Sequence, residues 1–159
     1  MATNTVQTQY TCTALRKSFS SNFPKDDTIP QSGEGSEIIT LAITPTNVSN
    51  LLVIEACIMI DITAVGGPYP IVLSLFQDAT ADALASSIEG VNDAVTRLPS
   101  MFLRHIMVAG TTSATTFKLR GGAFDNSART WKVNSSTGVP YLIYAGALKS
   151  SLQITEINV

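Results

Sequence analysis

The chain has 159 residues, of which 45% are hydrophobic and only 14% are charged. This length suits one domain with a real core. Soluble domains usually carry about 25% charged residues, so we expect other subunits to cover part of the surface. A net charge of −2, with no basic run longer than Arg16-Lys17, argues against nucleic acid as a partner. A soluble monomer with a surface of Ser, Thr and Asn is the alternative explanation.

The sequence lacks the features of a membrane or secreted protein. No apolar run approaches the ~18 residues that a membrane span needs. Residues 1–6 have neither the basic nor the apolar region of a signal peptide. The two cysteines, Cys12 and Cys57, could pair or stay free. Without a secretion signal we expect two free, buried thiols and no membrane partner.

Gly, Pro, Asn and Ser interrupt the sequence at intervals of about ten to fifteen residues, a spacing typical of sandwiches of short strands. The segments between them are rich in Ile, Val, Thr, Leu and Phe, which suit a pleated, half-buried surface. In one segment, Ile39, Leu41 and Ile43 alternate with Thr and Ala. The pattern predicts strands at residues 8–19, 36–44, 50–63, 69–77, 98–109, 114–121, 128–134, 140–145 and 151–158.

The predicted strand at 50–63 is apolar on both faces. Alternate positions from Leu52 to Ile62 form one apolar face, and Val53, Cys57 and Met59 lie on the other. A strand of this kind is normally covered on both sides. In a two-sheet sandwich the second cover must come from a neighbouring subunit or from a folded-back arm. We therefore predict Val53, Cys57 and Met59 to lie in a subunit interface.

Two stretches depart from the strand pattern. The alanine-rich residues 79–87 favour a turn or two of helix in a loop at one end of the sandwich. Residues 23–35 are polar and contain two prolines. We interpret them as a long crossover between the two sheets, which Greek-key and jelly-roll topologies require.

The residues that could carry catalysis are few. His105 is the one histidine, and it lies inside the apolar run 101–108, where a structural role is expected. With two distant cysteines and one histidine there is no zinc-ligand spacing. The sequence has no nucleophile elbow, phosphate-binding loop or dinucleotide fingerprint. We therefore predict a protein that is not an enzyme and has no catalytic residues, no cofactor and no bound metal.

The sequence contains one cluster of carboxylates. Asp26, Asp27, Glu34 and Glu37 lie close together in the sequence, and oxygen ligands of this kind can hold calcium. The spacing of a calcium-binding loop is absent, so we expect a solvated acidic loop, with a calcium site as the alternative.

Two aromatic residues, Phe124 and Trp131, flank the polar loop 125–130. They could form a small exposed contact patch of the kind that stacks on a ligand. Packing of Trp131 in the core, in alternation with Val133, is the favoured interpretation.

Several short segments occur in an order that carries a resemblance. These segments are 27–31 (DTIPQ) with 34–35, 43–45 (ITP) with 50–52 (NLL), 75–78 (LFQD) with 83–85, 107–111 (MVAGT), 116–122 (TFKLRGG) and 150–157 (SSLQITEI). In them the chain is similar to a jelly-roll domain, of the tumour-necrosis-factor type, that recurs in virion proteins of tailed phages. It departs from that pattern at 134–138 (NSSTG) and 144–147 (YAGA), where relatives often carry an Asn-Gly turn and an aromatic-Gly-Gly step.

The resemblance implies an all-β, two-sheet antiparallel jelly-roll sandwich that assembles as a homotrimer, with Val53, Cys57 and Met59 in the trimer interface. Such domains occur in capsid decoration or cement proteins, head fibres and tail-fibre tips, and they share no catalytic residues. We expect one domain at 10–159, with one short helical turn in a loop, preceded by an N-terminal arm at 1–9.

Two functions compete. A decoration or cement protein would sit on the outer surface of the virion head, with the major capsid protein as its partner. A receptor-binding fibre tip would need a shaft, and the sequence has neither coiled-coil heptads nor shaft repeats before its first strand. Decoration of the capsid is therefore the favoured function, and the fibre tip is the alternative.

The N-terminal arm is the predicted capsid contact. Thr5, Val6, Gln7 and Thr8 are uncharged and accept an extended conformation, so the arm could add a strand to a sheet edge of the capsid protein. A frayed terminus without a binding role is the alternative.

Overall fold

A computed structural model describes residues 4–61, 69–90, 98–127, 129–135 and 142–159. In this part of the chain the secondary structure consists of strands and one short 3-10 turn, Ile143–Gly146. The strands are β1 (Asn4–Thr13), β2 (Lys17–Phe19), β3 (Asn22–Phe23), β4 (Ser36–Ile43), β5 (Leu51–Asp61), β6 (Ile71–Gln77), β7 (Ala85–Glu89), β8 (Ser100–Val108), β9 (Thr115–Phe124), β10 (Trp131–Val133) and β11 (Ser150–Asn158).

The first sheet is built around β5. Its order is β1-β11-β5-β8, and every pair in it is antiparallel. The short strand β10 pairs with the last residues of β5, and β2 pairs with β10, so these two strands extend one corner of the sheet.

The second sheet has the order β4-β9-β6-β7, again antiparallel. The two-residue strand β3 runs parallel to the end of β9. The two sheets pack face to face, and successive strands often lie in opposite sheets, as a jelly roll requires. The predicted all-β, two-sheet jelly-roll sandwich is confirmed.

Alternation along the strands fills the core between the sheets. In β5 the inward positions from Leu52 to Ile60 are buried, and in β9 Phe117 and Leu119 are fully buried. Trp131 is also buried, and its ring stacks on Phe19 with the centroids 4.6 Å apart. The predicted core position of Trp131 is therefore confirmed.

Three predicted elements differ from the structure. Residues 79–87 do not form a helix: their last part begins β7, which pairs with β6 along the edge of the second sheet. The short helical turn lies instead at Ile143–Gly146, inside the predicted strand 140–145, where Tyr144 and Ala145 have left-handed φ angles of 52° and 54° that a strand cannot accommodate. The predicted strand 8–19 divides into β1 and β2.

Residues 4–9, which we expected to form an arm outside the domain, lie within β1. Pairing with β11 runs from Asn4↔Asn158 to Thr13↔Ser150, with a bulge between Thr5 and Gln7. Main-chain hydrogen bonds to a buried partner strand therefore hold a segment whose side chains are mostly polar. The sequence did not indicate β11 as the partner of β1, because almost the whole length of the chain separates the two strands.

The fit of Gly121 against the core gives a first prediction. A methyl group added at Gly121 would lie 2.6 Å from Cη2 of Trp131 and 2.8 Å from Cδ1 of Ile38. We expect Gly121→Ala to lower the free energy of unfolding by about 1–3 kcal/mol, because overpacking moves core side chains off their rotamers. Gly33→Ala is the matched control, since nothing lies within 4 Å of its added carbon. Equal urea midpoints for the two variants would contradict this packing.

Candidate functional site

The outer face of the first sheet, meaning the face turned away from the second sheet, is unusually apolar for a solvent-exposed surface. Four large side chains on β1 and β8 are between 48% and 62% exposed: Tyr10 (58%), Phe102 (62%), Ile106 (48%) and Val108 (53%). Contiguous exposed apolar patches on soluble proteins often mark sites of interaction. This outer face is the candidate functional site.

Strand register aligns the side chains of the outer face in rows. One row runs Thr8, Thr155, Val53, Ile106, and the next runs Tyr10, Gln153, Glu55, Arg104. Neighbouring strands lie about 4.8 Å apart, so each row forms a continuous strip across the sheet. Across β1, β11, β5 and β8 the face therefore consists of apolar and uncharged polar side chains crossed by one pair of opposite charges, Glu55 and Arg104.

The predicted interface residues lie on this face, but they are not its most exposed members. Val53 is 6% exposed because Thr155 and Ile106 flank it in register. Cys57 and Met59 are half-buried. Their role in a trimer interface stays a prediction.

The prediction missed the exposed residues of β8. Phe102, Ile106 and Val108 occupy alternate positions of a strand whose other face carries Met101 and Leu103. The signal was present in the sequence: residues 100–108 are largely apolar on both faces, as in β5. The same reasoning that predicted an interface on β5, from two apolar faces, would have identified these three side chains of β8.

A shallow groove of about 200 Å³ lies across the middle of the outer face. Beside it, Nε of Arg104 lies 3.6 Å from Oε1 of Glu55, and both side chains are more than a third exposed. Exposed pairs of this kind contribute little to stability. The groove is lined by Tyr10, Glu55, Ala56, Cys57, Phe102, Ser151 and Gln153.

The two cysteines share a row of the outer face. Cys12 and Cys57 both pair in register with Ser151, from opposite sides of β11. Two strand spacings, about 9.6 Å, separate them, which is too far for a disulfide. Both thiols are free, as predicted, but neither is buried: Cys12 is exposed and Cys57 is half-buried, because both lie on the outer face of the sheet.

The carboxylate of Glu156 lies fully buried at the end of β11. Its Oε1 accepts hydrogen bonds from Nδ2 of Asn50 (2.6 Å) and from the amide and hydroxyl of Thr46 (2.8 Å each). Its Oε2 accepts one from Nε2 of Gln7 (2.6 Å). This network joins β1, β11 and the loop between β4 and β5.

Burial alone would raise the pKa of Glu156, but the hydrogen bonds from Gln7, Asn50 and Thr46 outweigh it. Together they lower that pKa from its ordinary 4.5 to about 2, so the group stays ionised. Glu156 is not among the site residues predicted from the sequence. The signal that could have identified it is a glutamate at an inward position of a strand, two residues after Ile154.

The predicted contact residues Thr5, Val6, Gln7 and Thr8 form the first half of β1. Thr5, Val6 and Thr8 are exposed, and Val6 lies in the bulge. Gln7 points inward, where its Nε2 donates to Glu156 and to the carbonyl of Thr44 (2.8 Å). Gln7 is therefore a structural residue of this sheet, while contact of the segment with a capsid stays a prediction.

His105 and the acidic residues do not come together as a reactive site. His105 lies on the inner face of β8 opposite Ile54, and partial burial lowers the pKa of His105. Asp26 accepts hydrogen bonds from the amide and hydroxyl of Thr28, and Glu34 accepts one from the amide of Gln31. Within the ranges that the structure describes, no group of three His, Cys, Asp or Glu side chains could hold a metal ion.

The loop between Phe124 and Trp131 is organised by an ion pair. Nε of Arg129 lies 2.7 Å from Oδ2 of Asp125, and this hydrogen bond lowers the pKa of Asp125. The guanidinium also lies over the ring of Tyr69, 4.2 Å from its centroid. These contacts hold the loop together.

In the described part of the chain, no helix is long and apolar enough to span a bilayer.

Comparison with known proteins shows the fold and leaves the family open. No protein-family model and no curated protein matches the chain. Among solved structures, the tumour necrosis factor Eiger from S. frugiperda is similar, with a TM-score of 0.50 and 11% identity over 90% of this chain and 85% of that chain. At this level of identity the similarity shows the fold alone, a jelly roll.

Two other similar structures score lower. The C-terminal domain of EclA, a sugar-binding protein, has a TM-score of 0.43 and 13% identity over 83% of this chain and 78% of that chain. The VP2 subviral particle of infectious bursal disease virus has a TM-score of 0.42 and 19% identity over 98% of this chain and 38% of that chain. No conclusion about function follows from either.

The buried carboxylate gives the second prediction. Because the pKa of Glu156 is depressed on folding, its contribution to stability is complete above pH 4.5 and is lost as the pH falls toward about 2. We expect Glu156→Gln to cost about 1–3 kcal/mol at pH 7 and to flatten the acid side of the stability profile.

The measurement is urea unfolding at a series of pH values. Glu37→Gln is the control, since Glu37 is an exposed residue of β4. A Glu156→Gln profile that matches wild type at every pH would show that the network contributes nothing.

Proposed function

We propose that the chain is a non-enzymatic structural protein of a phage virion, assembled as a homotrimer that decorates the outer surface of the capsid. The observation that carries this proposal is the apolar outer face of the first sheet. The resemblance of the sequence to virion domains of tailed phages supports the phage setting, and it also supplies the number of subunits.

The outer face has the properties of a surface that packs against a second copy of the chain. Tyr10, Phe102 and Ile106 project from the part of the face formed by β1, β11, β5 and β8, which carries a single pair of opposite charges. Burying each large apolar side chain would contribute about 1.5–3 kcal/mol. Aromatic anchors among uncharged polar side chains are characteristic of the centres of protein interfaces.

The third prediction tests this interface with two matched isoleucines. Ile106→Glu places a charge in the proposed interface, so we expect the trimer to dissociate while the subunit stays folded. Ile88→Glu is the control, because Ile88 is equally exposed (54%) but lies on β7 of the other sheet. Light scattering with circular dichroism measures both effects. A wild-type mass of one subunit at micromolar concentration, or equal behaviour of the two variants, would contradict the interface.

Capsid attachment through the start of β1 is the finer part of the proposal. In the described part of the chain, β1 pairs with β11 alone, and its sequence from Asn4 to Thr13 contains no charge and no proline. Such an edge can pair with an extended strand of another protein. Three edges on one trimer would raise the effective concentration of the second and third contacts. We infer that a segment of the major capsid protein pairs with this edge.

The fourth prediction removes the outermost part of that edge. Deletion of residues 2–6 keeps Gln7, so the hydrogen bond to Glu156 and the rest of β1 stay in place. We expect the trimer to persist in solution but to lose its occupancy on phage heads, measured by cryo-electron microscopy. Occupancy equal to wild type would refute attachment through this edge. Density for the wild-type protein on the tail instead of the head would favour the receptor-binding tip.

A further inference from the structure

A basic recess lies at the corner of the first sheet that β2 and β10 form. Its volume is about 210 Å³, and three of its five lining residues are cations. The chain has ten Lys and Arg residues in all and a net charge of −2, so this concentration of positive charge is unusual for it. The lining residues are Arg16, Lys17, Ser18, Lys132 and Ser135.

Strand pairing assembles the recess from distant parts of the sequence. The β2–β10 ladder places Ser18 directly opposite Lys132. Across the recess, Nε of Arg16 donates a hydrogen bond to Oγ of Ser135 at 3.0 Å. Ser135 is itself buried, so the guanidinium is anchored to a fixed point.

The segment after β10 is held rigidly. Asn134 has a left-handed φ of 52°, and its side chain donates to the carbonyl of Thr13 at 2.8 Å and accepts from the hydroxyl of Ser150 at 2.8 Å. These contacts fix Ser135 relative to Arg16. The recess is thus preorganised, which reduces the entropy cost of binding a ligand.

The cations of the recess exceed the negative charge beside them. Lys132 already has a partner, and Asp61 lies opposite it in register across β5 and β10. Arg16 donates to a serine hydroxyl and Lys17 to the carbonyl of Ile38 at 3.4 Å, and both of these acceptors are neutral. Neither cation forms an ion pair with the residues that the structure describes.

We propose that this recess binds a compact oxyanion, either a phosphate or a carboxylate. A guanidinium donates in parallel to two oxygens of such a group. Lys17 supplies a second positive charge, and the hydroxyls of Ser18 and Ser135 supply further donors. The site goes beyond the proposed virion role and does not depend on trimer formation. Free phosphate and the acidic side chain of a partner polypeptide share this chemistry.

The experiment is an NMR titration of the full chain at pH 7 and constant ionic strength. Inorganic phosphate is one probe, and a capped Asp-Asp-Asp tripeptide is the other, each against a chloride blank. Amide shifts centred on residues 16–18 and 132–135 are the expected response. Saturable binding of phosphate but not of the tripeptide would identify the ligand as a small anion. Tighter binding of the tripeptide would identify the ligand as an acidic segment of a polypeptide.

Two variants and one control decide the proposal. Arg16→Gln removes the guanidinium and its two parallel hydrogen-bond donors, and Ser18→Asp places a carboxylate in the recess. Each change should therefore weaken binding about tenfold or more. Lys118→Gln is the matched control, because Lys118 lies on β9 in the other sheet. Unchanged affinity in both variants, equal loss in the control, or no saturable response to either probe would overturn the proposal.

Discussion

Strand β5 is the constraint on which this fold depends, because it carries large apolar side chains on both faces. Its inner positions pack against β9 and the rest of the core. Its outer positions are only partly covered by the neighbours that register places beside them. Such neighbours bury Val53, while Cys57 and Met59 stay half-buried. One strand thus supplies both the stability of the sandwich and the apolar character of the surface proposed for assembly.

The buried carboxylate of Glu156 has the complementary role. An unpaired charge in the interior is costly, and here hydrogen bonds rather than a cation compensate for it. Gln7 contributes one of them from β1, so the network attaches the edge strand to the body of the sheet. The main-chain pairing with β11 makes the outer face four strands wide and positions Tyr10, and the Gln7 hydrogen bond adds a side-chain attachment near the start of β1.

Sequence reasoning predicted what periodicity alone can specify. The alternation in β4, the double apolar face of β5 and the all-β class follow from local pattern, and the structure has them. Partners distant in sequence were beyond that reasoning. The pairing of β7 with β6 overrides the helical propensity of alanine, and β11 draws residues 4–9 into the sheet. The basic recess shows the same limit, since Arg16-Lys17 is an ordinary dipeptide until β10 brings Lys132 beside it.

The pairing of β1 with β11 also bears on the order of events during synthesis. Gln7 and Glu156 are 149 residues apart, so their hydrogen bond closes a loop that contains nearly every other strand. Contacts of such separation form late and slowly. On a translating ribosome, β1 emerges before β11 and has no partner strand until β11 has left the exit tunnel. The four-stranded outer face therefore forms only once β11 is available.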